Sequence, residues 1–370
     1  MYQPSDRHVS ILSTGAHLPG DPIDNAALER LCGPLPDDVL DGIQVQRRHW
    51  IADPHTGEHR TGTAVMATAA ARQALQRAGV EPAEVDLVVL ATASPDHILP
   101  GAGTYVQEQL GLERCSVIEL RAGCVGAVQA LDTARRLLAD GTYRTALVIG
   151  TESISPLLVP IYLGRDPHSV RMRDRLTVYT FGDGAGAMVL RAGEPGSAQD
   201  TPVHEVFATQ CLGGARKPGM LISGGGTAEP LAQQQRRSRL MDIRLDIPGT
   251  AQFGPKVFVA GVQEMLHRSG LAMSDIDACV LPEGNADYFR NEFESAGLSA
   301  QDHAAMQKCT VENLADVGAT GSAAVPLALD AGWLDGRVRP GDTVLLLAIE
   351  ASRYLYAGLT LVWEAPAPAA

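Results

Sequence analysis

AGVEPAEVDLVVL (Ala78 to Leu90) and SGLAMSDIDACVL (Ser269 to Leu281) align without a gap at an offset of 191 residues. Gly79 meets Gly270, Asp86 meets Asp277 and Leu90 meets Leu281, while Val85 is exchanged for Ile276. Each stretch reads as a helix end, a Gly C-cap, a turn and a buried strand. A second pair follows in the same order. ALD (Ala130 to Asp132) matches ALD (Ala328 to Asp330) at an offset of 198, and Asp140-Gly141 matches Asp335-Gly336. TALVIGTES (Thr145 to Ser153) then matches TVLLLAIEA (Thr343 to Ala351), so both copies run small-residue loop, helix, Gly turn, apolar strand and Glu. Two pairs in one order point to a tandem duplication rather than chance likeness of α/β segments.

The strand candidates VDLVVLATA, SVIEL, TALVIGT, AGAMVL, DACVL and TVLLLAI are continuous apolar runs, which predicts strands covered on both faces. Between them, TAVMATAAARQALQRAG and GAVQALDTARRLLADG carry apolar residues at the 3–4 spacing of one helix face. Two such halves, with helices outside and between their sheets, predict a five-layered αβαβα arrangement. The Gly-, Pro- and Ser-rich stretch RAGEPGSAQDTP (Arg191 to Pro202) is the expected joint, dividing the chain into residues 1–192 and 193–370.

Composition narrows the function. The 370 residues are 45% hydrophobic and 20% charged, enough for a large core. No apolar run approaches the ~18 residues of a membrane span. MYQPSDRHVSIL lacks a basic segment followed by a long apolar one, so no signal peptide is expected and the assignment is cytoplasmic. A net charge of −13 argues against nucleic acid. It also means that an acidic protein partner would need a local basic patch. RMRDR (Arg171, Arg173, Arg175) and RRSR (Arg236, Arg237, Arg239) are candidates, with ordinary solvated charge as the alternative. Cys32, Cys115, Cys124, Cys211, Cys279 and Cys309 are scattered without metal or disulfide spacing. Five of them are expected to be packing residues, and no metal or bound cofactor is expected.

Cys124 stands apart. RAGCVGAVQALDTARRLLADG places it between Gly123 and Gly126, where a loop becomes an Ala/Leu-rich helix. A thiol there feels the positive end of the helix dipole, which favours the thiolate. The glycines let a substrate approach, and the Cys124 amide can face a developing oxyanion. A small buried cysteine in a tight junction is the competing account of the same local sequence.

With these motifs in hand, the chain resembles ketoacyl-carrier-protein synthase III and its relatives from roughly Val9 to Trp363. ATASPDHILPG resembles that family's dimer-interface loop, AGCVGA its nucleophile loop, FGDGAGAMVL its Gly-rich strand and GATGSAAVPLALD its second-half loop and helix. The resemblance implies the thiolase fold, a homodimer, an acyl thioester on Cys124 and a phosphopantetheine-linked substrate. It implies Leu99 as a residue closing the partner's acyl pocket, and the Ser352 amide as the second oxyanion donor.

The departures matter as much. The family's triad is Cys, His and Asn. Here PEGNADYF puts Glu283 at the His position, and Gly318-Ala319-Thr320-Gly321 puts Ala319 at the Asn position. In the family, His and Asn donate hydrogen bonds to a malonyl thioester as carbon dioxide leaves. An ionised Glu283 only accepts and Ala319 does neither, so decarboxylative condensation is disfavoured. A carboxylate suits another task, taking a proton from an incoming nucleophile. Asp316, beside the altered Asn loop, is a weaker candidate for an accessory acid. The family's Trp and Arg that grip coenzyme A align with Asp38 and Gly42, in a stretch expected to be a bare loop. That favours an acyl carrier protein over acyl-CoA as donor, with Arg171, Arg173 and Arg175 as its contacts.

These readings predict an acyltransferase that passes an acyl group from Cys124 to an O, N or C nucleophile in natural-product (polyketide) biosynthesis. One alternative, drawn from the family's relatives, joins a glyceryl-carrier protein to a β-ketoacyl thioester through one C–C and one C–O bond, giving a tetronate. A non-catalytic partner subunit and a decarboxylative ketoacyl synthase are the others.

Overall fold

The protein is described by a computed structural model that covers residues 7–197, 202, 204–237, 239–282, 290–295 and 297–368. Ten strands form two five-stranded sheets. In chain order they are β1 (Val9–His17), β2 (Leu87–Ala91), β3 (Ser116–Leu120), β4 (Thr145–Glu152) and β5 (Gly184–Ala192) in the first sheet. The second holds β6 (Phe207–Cys211), β7 (Ala278–Val280), β8 (Thr310–Val311), β9 (Thr343–Glu350) and β10 (Leu355–Val362). Their spatial orders are β1-β5-β4-β2-β3 and β6-β10-β9-β7-β8, the same topology twice. In both sheets the three strands nearest one edge are parallel, and the next two are each paired antiparallel with the strand before.

The helices repeat with the strands. α1 (Thr63–Ala78), α2 (Ala102–Leu110) and α3 (Gly126–Ala139) of the first half correspond to α4 (Ile247–Ser269), α5 (Ala300–Cys309) and α6 (Ala324–Leu334) of the second. α1 ends at Gly79 (φ +62°) and α4 at Gly270 (φ +69°), both in the left-handed conformation that glycine adopts freely. The paired aspartates also do one job. Asp86 accepts from the Thr145 amide (3.0 Å) and Asp277 from the Thr343 amide (2.9 Å), each fastening the start of the strand beside it.

The layers follow from which side chains meet. Ala67, Ala70, Ala71 and Ala74 of α1 pack with Val88, Leu90, Leu147 and Val189 on the outer face of the first sheet. Alanines at 3–4 spacing give α1 a flat face that lies close to the strands. Between the sheets, Leu131 and Ala134 of α3 and Ala328 and Leu329 of α6 pack with Val89 and Val148 on one side and Val280 and Leu346 on the other. Val262 and Met265 of α4 cover Leu345 and Leu347 on the far face of the second sheet. Each fully buried Leu or Val contributes roughly 1.5–3 kcal/mol, so the five layers are held mainly by apolar burial.

Two expectations need correction. SVIEL, β3, is not covered on both faces: it is an edge strand, and its residues are half-buried apart from the exposed Glu119. The segment around Asp38 and Gly42 is not a bare loop but a short helix, Asp37–Ile43, with two aspartates in its first turn. Aspartates there complement the positive helix end, a local gain that the sparse apolar pattern concealed. Among the described residues, no helix is long and apolar enough to cross a membrane.

Candidate active site

Cys124 sits two residues before α3, in a turn closed by the Gly126 amide donating to Gly123 O (2.8 Å). The other half of the chain holds this turn. Ser322, in the loop before α6, donates through Oγ to Ala122 O (2.7 Å) and to Gly123 O (3.0 Å). Glu350, at the end of β9 and 3% exposed, accepts from the Cys124 amide through Oε2 (2.7 Å). Its other oxygen, Oε1, accepts from the Ser352 amide (2.7 Å). The two amides nominated as oxyanion donors therefore converge on one small volume, and a carboxylate fills it. A methyl group on Gly123 would overlap that carboxylate, so the close approach requires glycine.

The first half repeats the device. Glu152, at the end of β4, accepts from the Ser322 amide (3.2 Å), the Ala93 amide (2.9 Å), Thr92 Oγ1 (3.2 Å) and Ser94 Oγ. Cys124 and Ser322 are 198 residues apart, as are Glu152 and Glu350. Each strand-end glutamate thus grips the helix-head loop of the opposite half. Burial raises the Glu152 carboxyl above its ordinary value, and the four donors oppose that shift. Both glutamates end matched strands in the sequence, which by itself gives neither a role. The signal was present in the offset of 198, which pairs each glutamate with a helix-head residue.

Near the altered Asn position, Ala319 joins the Gly-rich stretch: its amide donates to Thr180 O (2.9 Å) and its carbonyl accepts from Gly182 N (3.1 Å). Asp183 of that stretch is fully buried and accepts from the Ile51, Ile154 and Ser155 amides and from Ser155 Oγ, a structural tie. Glu283 lies outside the described residues. Asp316 is exposed, and its carboxylate is taken by Arg47 Nη2 (2.5 Å), so the ion pair rather than Cys124 engages it.

Four of the other thiols are poorly placed for nucleophilic work. Burial pushes Cys32 up to about 12 and Cys309 up to about 11, and it raises Cys115 and Cys279 as well. Cys211 departs from the packing role expected of it: it is exposed on β6, its Sγ directed at Arg353 O (3.3 Å). Its position at the end of an edge strand, one residue after the ladder meets Tyr356, leaves no layer to cover it.

A cavity of about 530 Å³ is lined by Arg171, Arg173, Lys217, Arg239 and Arg244, with Asp174, Asp242 and Asp246 among them. A second, of about 260 Å³, shares Lys217 and Asp246 and adds Arg216, Lys256 and Tyr354. Both clusters singled out in the sequence thus contribute, through Arg171, Arg173 and Arg239. Arg175 does not: its guanidinium turns inward to Pro34 O (2.9 Å) and Pro167 O (3.1 Å). The basic rim connects to the site through the backbone. Gly219 packs against Ala351 O, and Arg353 Nη2 donates to Gly214 O (2.8 Å), on either side of Ser352. Leu99 is 85% and Ile98 81% exposed, in the loop before α2. Among the described residues, no group of three or more His, Cys, Asp or Glu side chains could hold a metal.

This duplicated architecture, with a cysteine at the head of a helix between the two sheets, is that of a thiolase-fold condensing enzyme. Sequence models for 3-oxoacyl-[acyl-carrier-protein (ACP)] synthase III match residues 118–205 and, for its C-terminal part, residues 266–363. The beta-ketoacyl-[acyl-carrier-protein] synthase III of Rhizorhabdus wittichii is 31% identical over 93% of this chain and 96% of its own. The chain belongs to this synthase III family, whose members are condensing, acyl-transferring enzymes. Among solved structures, AbyA1, described as a tetronic acid condensing enzyme, superposes with a TM-score of 0.79 at 31% identity, covering 96% of this chain and 100% of that one. The synthase III of Pseudomonas aeruginosa PAO1 superposes with a TM-score of 0.77 at 26% identity over 97% and 99%.

Proposed function

We propose that the protein is a non-decarboxylating member of this family that carries an acyl thioester on Cys124 and passes it to an acidic carbon acceptor, forming a tetronate. The observation that carries this reading is the pair of departures at the catalytic positions, Glu283 for His and Ala319 for Asn, in a chain whose nucleophile loop is intact. The likeness to a protein described as a tetronic acid condensing enzyme supports it. An anion in place of the two donors opposes a malonyl-derived enolate but suits deprotonation of a 1,3-dicarbonyl carbon, whose pKa near ~10 lies within reach of a carboxylate base in a dry pocket.

Cys124 Sγ attacks the glyceryl thioester: its C–S bond forms, the pantetheine C–S bond breaks, and the thiol proton passes to the pantetheine sulfur. Glu283 takes the proton between the two carbonyls of a β-ketoacyl thioester. The resulting carbanion attacks the acyl carbon, forming the C–C bond and freeing Cys124. A glyceryl hydroxyl then attacks the acceptor's thioester carbonyl, forming the C–O bond and releasing the second carrier thiol. Arg171, Arg173, Lys217 and Arg239 pair with the cavity's three aspartates, and with Arg244 they leave a modest positive excess that supports a carrier-protein donor for a chain of net charge −13. A homodimer is part of the proposal: Ile98 and Leu99 project from the loop where the family pairs its subunits.

The test is reconstitution with a glyceryl-loaded carrier protein and a β-ketoacyl thioester, followed by mass spectrometry of the released product. A tetronate that disappears in Cys124→Ala supports the reading. Carbon dioxide release from a malonyl thioester with no tetronate overturns it.

A further inference from the structure

The amide pair of the nucleophile is already in use. Glu350 spans it with both oxygens, each at 2.7 Å from its donor, and the carboxylate is buried. The carbonyl oxygen of a thioester reacting at Cys124 needs the same two N–H groups. Two acceptors, one of them charged, cannot share them, so Glu350 must give way before an acyl group loads.

Its counterpart Glu152 sharpens the point. Glu152 accepts from four donors contributed by two loops, and none of the four is an amide of the Cys124 turn. The donors of Glu350 among the described residues are the two site amides alone. A carboxylate driven from them needs new hydrogen-bond donors, since an ionised carboxylate can only accept. An alkyl acyl chain brings none; a hydroxylated acyl chain brings its O–H groups.

We propose that Glu350 determines which acyl donor loads: it occupies the oxyanion amides of the resting chain and, once displaced, is satisfied by hydroxyl groups of a glyceryl-type acyl chain. This rests on the acyl-enzyme reading above and deepens it by naming the residue that selects the donor. A site built to pair a substrate hydroxyl rejects the analogue lacking it, because the buried polar group is then stranded.

The experiment measures loading of Cys124 from glyceryl-pantetheine and from propionyl-pantetheine by intact mass, in the wild type, Glu350→Ala and Glu350→Gln. The wild type is expected to prefer glyceryl by ~10²-fold or more, within the range that sites pairing a substrate hydroxyl achieve. Both variants should load propionyl at least ~10-fold faster than the wild type does, because Ala frees both amides and Gln, whose Nε2 cannot accept, frees one of them. Alkylation of Cys124 by iodoacetamide, compared at a pH where the thiol is fully ionised, passes through no oxyanion and should change by less than ~3-fold on the same argument.

Propionyl loading that stays level or falls in the variants overturns the proposal, and so does a parallel change in alkylation, which would make Glu350 a brace of the loop. If Glu350→Ala fails to fold, Glu350→Gln carries the test; failure of both to fold also identifies a brace and overturns the proposal. No loading of any of the three proteins by either thioester refutes the acyl-enzyme reading and this inference with it. Loading of all three with an unchanged glyceryl-to-propionyl ratio refutes this inference alone.

Discussion

Removing one hydroxyl, in Ser322→Ala, tests whether the second half of the chain holds the nucleophile of the first. Ser322 Oγ donates to Ala122 O and Gly123 O, the two carbonyls that precede Cys124. Gly123 O keeps the Gly126 amide as a donor, so the loss falls mainly on Ala122 O. A buried acceptor deprived of its donor costs about 1–3 kcal/mol. The Ser322 amide still reaches Glu152, so the backbone path is kept and the change is confined to the hydroxyl. For a chain of 370 residues the cost corresponds to a fall in Tm of roughly 1–4 °C. Some of it should appear in the reaction, because a turn that wanders carries the thiol and its amide out of line. A loss of ~1.4 kcal/mol in alignment slows loading about tenfold. Thermal unfolding and the rate of Cys124 acylation, followed by intact mass, measure both. A stability change below ~0.5 kcal/mol with loading at the wild-type rate would refute the idea that Ser322 fixes the loop.

Other perturbations separate the remaining roles. In Glu283→Gln, loading of Cys124 should stay near the wild-type rate while transfer to the acceptor slows ~10²–10⁴-fold, so the acyl-enzyme accumulates and is visible by mass; equal slowing of both steps would make Glu283 structural. Burial raises the Glu152 carboxyl, so its stabilising contribution is complete below the ordinary value of 4.5 and is lost as pH rises through the higher folded value. The Tm advantage of the wild type over Glu152→Gln should therefore shrink as pH rises from about 4.5 toward neutrality, and a gap that widens with pH would contradict the assignment. Leu99→Asp should convert a dimer to a 39.1 kDa particle in light scattering, and a wild type already of that mass at micromolar concentration would remove the dimer from the account.

Much of this molecule can be read from its residues because the duplication prints the same local signals twice. Gly79 and Gly270 announce two helix ends, Asp86 and Asp277 two strand starts, and the apolar runs two sheets. Cys124 is legible because a helix head between glycines is a local feature. What the sequence conceals is set by contacts across the halves. Glu350 reaches Cys124 over 226 positions of chain, and no window of sequence contains both. Arg175 looks like its neighbours Arg171 and Arg173 in sequence, yet its guanidinium goes to the backbone carbonyls of Pro34 and Pro167, a contact between segments far apart in the chain or across a turn. β3 carries the apolar signature of a central strand but lies at an edge, where neighbours rather than composition decide coverage.

The central claim is that Cys124, and no other thiol, carries the acyl group. Incubation with an acyl-loaded carrier protein, acid quenching, digestion and peptide mapping test it directly. The account predicts one adduct, on the peptide containing Cys124, absent from Cys124→Ala. An adduct on the exposed Cys211 instead, or one that persists in Cys124→Ala, would contradict it.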